Sequence, residues 1–414
     1  MNRSDRRTLL RDHDYRQLLA STTASHFAIQ VVQLALTLVA VDHLGVSEFE
    51  AGLVVALTFA GSLLVGLPAG AWVDRMRRRT VLIVSDLGRA ALLLTVPLAG
   101  WAGLLTIWQL YAVALVHGIL TVFFDVAYRS YLPHMVGRDN LVEANASLEA
   151  VGQTIHIAAP AVAGQLIRLF TAPAVLVVNA LTMAASALFI VRIRRREARP
   201  ARSASARLLP EVAEGVRLVF GHRLLRPIAI ASTTLNLFLS VSGAMQVFFL
   251  RRVLEAGPVT IGGVFSALGI GGLAGALTAR RIAGRVGQGR AIWMAAAFPA
   301  PFGLFLPLAE LGWRLWLGVA GAALAWGGVV VYNVIQVSVR QAMTPERLLG
   351  RMNATMRFMT WGVVPIGSVL GAALGEWLGA RAALVVGVLG TCLAFLPLVL
   401  SPLRTMRTPQ VLGA

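Results

Sequence analysis

Residues 48–79 read EFEAGLVVALTFAGSLLVGLPAGAWVDRMRRR. Apolar residues and glycine dominate from 48 to 72, and roughly 20 such residues cross the hydrocarbon of a bilayer as one helix. The run then ends in charge: Asp74, Arg75, Arg77, Arg78 and Arg79. Cytoplasmic ends of membrane helices hold an excess of basic residues, so this stretch sets an orientation as well as an environment.

The rest of the 414-residue chain repeats the pattern. Hydrophobic residues make up 57% and charged ones 14%, with mean hydropathy +0.73, far more apolar surface than one soluble core can use. Twelve apolar blocks are read, at 17–41, 48–72, 80–100, 105–128, 148–169, 173–193, 225–250, 257–279, 290–309, 313–337, 352–378 and 380–401. None alternates apolar with polar residues as a transmembrane barrel strand does. Backbone groups in lipid must then be satisfied within helices, so the expected class is an all-α membrane protein of twelve transmembrane helices.

The formal charge of +18 could suggest a polyanion partner, but its placement explains it otherwise. Every basic residue is arginine, and with the N-terminus cytoplasmic only Arg168, Arg251, Arg252, Arg314 and Arg381 fall on the far side. That asymmetry is a topology signal with some contact to lipid headgroups, and no nucleic acid is expected. An even number of blocks returns the C-terminus to the cytoplasm, so both termini are expected there. The single cysteine, Cys392, lies in the last block and supplies neither a disulfide nor a metal cluster. The polar N-terminal residues and the length of the first block fit a retained helix, not a cleaved signal peptide.

The longest polar interruption, 194–224, divides the blocks six and six. The expected organisation is a six-helix bundle at 1–193, a cytoplasmic linker at 194–224, a second six-helix bundle at 225–402 and a cytoplasmic tail at 403–414. Within the linker, EVAEGVRLVFGH (211–222) has the pattern of an amphipathic helix on the membrane surface. The halves also echo each other: Gly70-Ala71 followed by Arg75 returns as Gly275-Ala276 followed by Arg280, and Asn145-Ala146 as Asn353-Ala354. Two parallel repeats of this kind can rock about a central site, which points to transport, not catalysis.

GAWVDRMRRR (70–79) resembles the loop 2–3 signature of the major facilitator superfamily. Gly70, Asp74, Arg75, Arg78 and Arg79 match it, and Arg77 replaces its second glycine. FFDVAYRSYLPHMVGRDNLVEANASLEA (123–150) and VRQAMTPERLLGRMNATMRFMTWGVVPIG (339–367) are similar to the subfamily that contains the enterobactin exporter and Tap-type multidrug pumps. The resemblance implies two pseudo-symmetric six-helix bundles, with the cavity lined by the first, fourth, seventh and tenth helices. It also implies that Asp74 faces the start of the eleventh helix and that Arg78 reaches Asp125, closing the cytoplasmic side. Arg129, one turn beyond Asp125, offers a second partner. The subfamily's early Gly-Asp pair is missing here, where Ser25-His26-Phe27 runs on into Ala28 and Ile29, and its Gly-Pro-x-x-Gly is kept only in part at Ala159–Gly164.

Polar side chains deep in the apolar blocks are expensive unless they line a cavity or bond across helices. They are His26, Gln30, Gln33, His117, Gln153, His156, Asn236, Gln246, Tyr332, Asn333 and Gln336. Gln30, Gln33, His117, Asn236, Tyr332, Asn333 and Gln336 fall on the four helices that the resemblance assigns to the substrate cavity; each could equally serve interhelical bonding. Such a mildly polar, largely uncharged site suits amphiphiles. The remaining acids are expected toward the membrane faces, leaving His117 and Asp125 as proton-coupling candidates, with a neutral structural histidine as the alternative for His117. The glycines at 367, 371, 375 and 379 and those crowding 262–275 are read as packing faces.

No phosphate-binding loop is possible without lysine, and no metalloprotease or nucleophile-elbow pattern occurs, so no enzyme activity, cofactor or metal is expected. The expected protein is a monomeric secondary transporter of the bacterial inner membrane. It would export an amphiphilic drug, siderophore or metabolite by alternating access, through proton antiport. Uptake, lipid translocation and a non-transporting receptor or scaffold are the alternatives.

Overall fold

The computed structural model of the chain describes residues 12–136, 141–195 and 208–406, and every regular element among them is helical. Nine of these helices are long and apolar enough to span a membrane. The second, fifth and ninth expected blocks depart from single clean spans. The second is interrupted at Val65, giving α2 (Glu48–Leu64) and α3 (Gly66–Asp74). The fifth begins at Leu141, inside a polar stretch. In the ninth, Pro299 and Pro301 remove two backbone donors, and the helix gives way to a 3₁₀ turn over Ala300–Phe305.

The described chain divides into two compact units. The first lies within 1–46, 57–206 and 258–262. Its helices are α1 (His13–Leu38), the later part of α2, α3, α4 (Arg78–Trp101), α5 (Ile107–Val136), α6 (Leu141–Phe170) and α7 (Ala172–Val191). The first of these is capped by Asp12, whose carboxylate accepts from the amides of Asp14 at 2.9 Å and Tyr15 at 3.3 Å. Asp14 in turn accepts from the amides of Arg194 and Arg195, tying the chain after α7 to the start of α1. Within the unit α7 packs on both α1 and α4, and α4 packs on α5. Gly118 on α5 lies so close to α2 that a methyl there would overlap the carbonyl of Thr58. Small residues are what let membrane helices approach this far.

The second unit lies within 47–56, 207–257 and 263–414. It contains the start of α2, α8 (Leu208–Gly221), α9 (Leu225–Phe248), all but the first residues of α10 (Pro258–Val286), α11 (Gln288–Ala297), α12 (Trp313–Met343), α13 (Glu346–Leu378), α14 (Ala380–Leu393) and the short α15 (Leu396–Val399). One cluster of its core gathers around Leu225, Ile228, Tyr332, Ile335, Met352 and Met356. Gly367 and Gly371 on α13 lie against the carbonyls of Leu237 and Val241 on α9, as packing faces should. Gly275 on α10 meets the backbone of Gly327 on α12, the counterpart of the α2–α5 crossing in the first unit. The repeat extends to helix ends: α1 and α9 both close in a π-turn, at Val39–His43 and Phe249–Val253.

The helix expected on the membrane surface from the linker is α8, and it packs on α13. Glu214 pairs with Arg351, and Gly215 sits against Thr355 and the Arg351 carbonyl.

Candidate functional site

In the first unit Gly70 lies within α3 and Asp74 is its last residue; the Asp74 side chain is outside the described residues. The helix ends where the amides of Arg75 and Met76 turn back to the carbonyls of Trp72 and Val73, at 3.1 and 3.0 Å. Arg75 is exposed and Arg78 half-buried. Arg79 closes the end of a neighbouring helix, where its guanidinium donates to the carbonyls of Ile190 at 3.3 Å and Val191 at 2.6 Å. A cation there satisfies orphan carbonyls and complements the negative end of α7.

Asp125 is half-buried on α5, and among the described residues it makes no ion pair with Arg78 or with the exposed Arg129. Its electrostatic neighbour is instead His26 of α1, which also lies in the field of Arg89, His156 and Arg129. His26 meets the Tyr128 ring edge-on, with centroids 6.3 Å apart. One turn further along α1, the Gln30 amide nitrogen is 2.9 Å from His156 Nδ1 of α6. The first unit therefore brings together His26, Gln30, Asp125 and His156, while Gln33 is exposed. Beside this group a largely apolar groove of about 470 Å³ is lined by Leu19, Ala20, Thr23, Ala24 and Phe27 of α1, with Arg16 and Val151.

His117 is only 1% exposed, and neither ring nitrogen has a hydrogen-bond partner among the described residues. Next to it lies a cluster that sequence reasoning misses. Asp86 and Arg89, both on α4 and both 0% exposed, form an ion pair. The expectation that the remaining acids lie toward the membrane faces is therefore corrected by Asp86. Ser186 of α7 donates to Asp86 Oδ2 at 2.6 Å, and Ser25 of α1 approaches Oδ1 at 3.3 Å. Arg89 donates to Ser25 at 2.9 Å and to Thr121 of α5 at 3.2 Å, and lies over the Phe124 ring. Four helices meet at one charge pair whose lone pairs and protons are almost all used, the condition a buried ion pair needs. Opposite charges three residues apart inside an apolar block are the available signal.

In the second unit Tyr332 of α12 is 1% exposed, with its hydroxyl 2.7 Å from Ser232 Oγ and 3.4 Å from the Ile228 carbonyl of α9. Asn236 turns its amide inward to its own helix, donating to the Ser232 carbonyl at 2.8 Å. Asn333 is exposed and Gln336 buried. Two helical turns past Tyr332, Arg340 is also buried. In the sequence it counts only toward the cytoplasmic arginine bias.

The sequence matches the family model described as Major Facilitator Superfamily over residues 18–365. It is 28% identical to the multidrug efflux pump Tap of Mycolicibacterium fortuitum, over 85% of this chain and 88% of that one. It is 27% identical to the enterobactin exporter EntS of Escherichia coli O1:K1 / APEC, with 87% of each chain covered. Among solved structures, the D323A mutant of the nucleoside transporter NupG superposes with a TM-score of 0.79 at 13% identity, over 93% of this chain and 98% of that one. A bacterial homologue of the iron transporter ferroportin in its inward-facing state gives 0.74 at 14% identity, over 93% and 97%. With the family model spanning most of the chain and the helical fold shared with solved transporters, this chain belongs to the Major Facilitator Superfamily: it is a multi-pass membrane transporter and not an enzyme.

Proposed function

We propose that the chain exports amphiphilic small molecules by alternating access, driven by proton antiport, with both termini on the cytoplasmic side. The observation that carries this reading is a group of polar side chains on α1, α5 and α6 of the first unit. A titratable group of His26, Asp125 and His156 lies beside an apolar groove and next to the amide of Gln30. An amphiphile needs apolar wall with a few polar contacts, and antiport needs a group that loads and releases a proton. The similarity to Tap and EntS, both named for export, supports the direction.

Coupling belongs to Asp125 or His117. The test is efflux from proteoliposomes under an imposed pH gradient, paired with equilibrium binding. Asp125→Asn or His117→Gln is expected to flatten the gradient response while leaving binding largely intact, since neither replacement titrates near neutral pH. A full gradient response in both variants overturns this assignment.

The gate is assigned to Gly70, Asp74, Arg75, Arg78, Arg79, Asp125 and Arg129, on the strength of the loop signature. Asp74→Asn is expected to abolish most transport while the protein inserts and folds normally. Wild-type rates in a well-expressed variant would exclude the gate.

A further inference from the structure

Arg340 is a buried cation of the second unit, and no acid pairs with it among the described residues. The residue is 8% exposed, its Nε is sealed from solvent, and it makes no side-chain hydrogen bond or ion pair among the described residues. Gln336, one turn earlier on α12, is 5% exposed, and its Oε1 is likewise sealed without a partner. A buried charge is ordinarily paired, because desolvating it alone costs several kcal/mol by rough estimate.

The acids of the second unit whose side chains are described are engaged elsewhere or lie far off. Glu214 holds Arg351, Glu310 holds Arg314, and Glu48 and Glu376 accept from the amides of Ala380 and Phe49. Glu50 accepts from the Ser47 amide. Glu255 lies past the end of α9, whereas Tyr332 bonds near its start and Arg340 lies two turns further on. Tyr332, Gln336, Arg340 and Met343 fall on one face of α12, at i, i+4, i+8 and i+11. Met343 packs in one core with Met352 and Met356 of α13.

We propose that Arg340, with the Gln336 amide, binds the anionic group of an amphiphile: a carboxylate, sulfonate or phosphate. The inference rests on the reading of the chain as a transporter of amphiphiles and narrows it to those bearing an acid. Tyr332 ends the polar stripe, anchored to α9, and leaves the Arg340 guanidinium as the donor with capacity to spare, with the Gln336 amide one turn away.

The experiment uses the full chain in phosphatidylcholine nanodiscs and two fluorescent probes of nearly the same shape. One is 1-anilinonaphthalene-8-sulfonate; the other is N-phenyl-1-naphthylamine, which lacks the sulfonate. Titrations are corrected with empty nanodiscs. Arg340→Gln is expected to weaken sulfonate binding by about tenfold to hundredfold, the worth of a charge-assisted hydrogen bond, and to change amine binding less than twofold. Arg340→Lys recovers part of the loss. Unchanged sulfonate affinity, equal loss of both probes, or no saturable sulfonate binding to the parent protein overturns the proposal. Should Arg340→Gln fail to insert, Gln336→Leu decides: a loss of about threefold confined to the sulfonate upholds the site, and no loss overturns it. Adding phosphatidylglycerol separates the two sources of such an anion, because displacement of the sulfonate identifies a lipid headgroup and indifference a soluble amphiphile. Binding is read without any gradient, so failure of the anion site leaves export untouched, and failure of export leaves the anion site untouched.

Discussion

Two arginines lie buried among the described residues, one in each unit, and their surroundings are opposite. Arg89 has a carboxylate on its own helix, hydroxyls from α1 and α5, and an aromatic face. Arg340 has a tyrosine and a glutamine on its own helix and, among the described residues, no acid paired with it. The first arrangement joins four helices and leaves little capacity for a ligand. The second leaves donors unused. Burial of a charge therefore has two meanings here, a joint in the first unit and spare donors for an anion in the second, and only the partners distinguish them.

The sharpest way to break that comparison is to take away one half of the joint. Asp86→Leu strands Arg89 in a sealed site, and losing one partner of a buried pair costs about 3–5 kcal/mol. Thermal unfolding of purified protein in detergent should show the variant strongly destabilised or not recoverable. The double variant Asp86→Leu/Arg89→Met should regain most of the loss, because no charge is left behind. A single variant as stable as the parent would mean that the pair joins nothing.

A smaller effect is expected at His117, beside the joint but not part of it. Its two unpartnered nitrogens carry an uncompensated desolvation cost, about 1–3 kcal/mol for such a group. His117→Met, of similar bulk and fully apolar, should raise thermal stability by roughly 1 kcal/mol while impairing gradient-driven efflux. Stability gained at the expense of function is the pattern of a working residue. Lower stability with normal efflux would make the histidine structural.

Most of the architecture is legible in the sequence because lipid imposes so few solutions. An apolar run such as 225–250 becomes α9 almost residue for residue, since length and composition decide a membrane helix. The ninth block reads as one span because hydropathy is blind to what Pro299 and Pro301 do to backbone donors. Side-chain roles are harder to read. Gln30 and His156 both stand out as deep polar groups, but that they bond to each other depends on how α1 packs on α6. Asp86 and Arg89 escape notice because the block around them is apolar enough to read as a span with both charges included. Arg340 escapes it because it lies close to the C-terminal end of α12, where an arginine has an ordinary explanation in topology. Nothing in the sequence says that an arginine at such a place is enclosed and unpaired; that follows from the neighbours the fold assigns it.

The smallest expected effect is the one that most cleanly separates the two arginines. If Arg340 serves a ligand, the ligand-free protein gains nothing from its charge, and losing it should cost nothing in stability. Its terminal nitrogens keep the little exposure the residue has, so water offsets part of the desolvation and the gain from removal is modest. Arg340→Met keeps the stem volume and joins the neighbouring Met343, Met352 and Met356. The expected change in stability is within about 1 kcal/mol of zero, on the stabilising side, against the several kcal/mol of Asp86→Leu. The same unfolding measurement in detergent reads both. An Arg340→Met protein destabilised as severely as the Asp86 variant would show that Arg340 is held by partners as Arg89 is, and the contrast between the two units would fall with it.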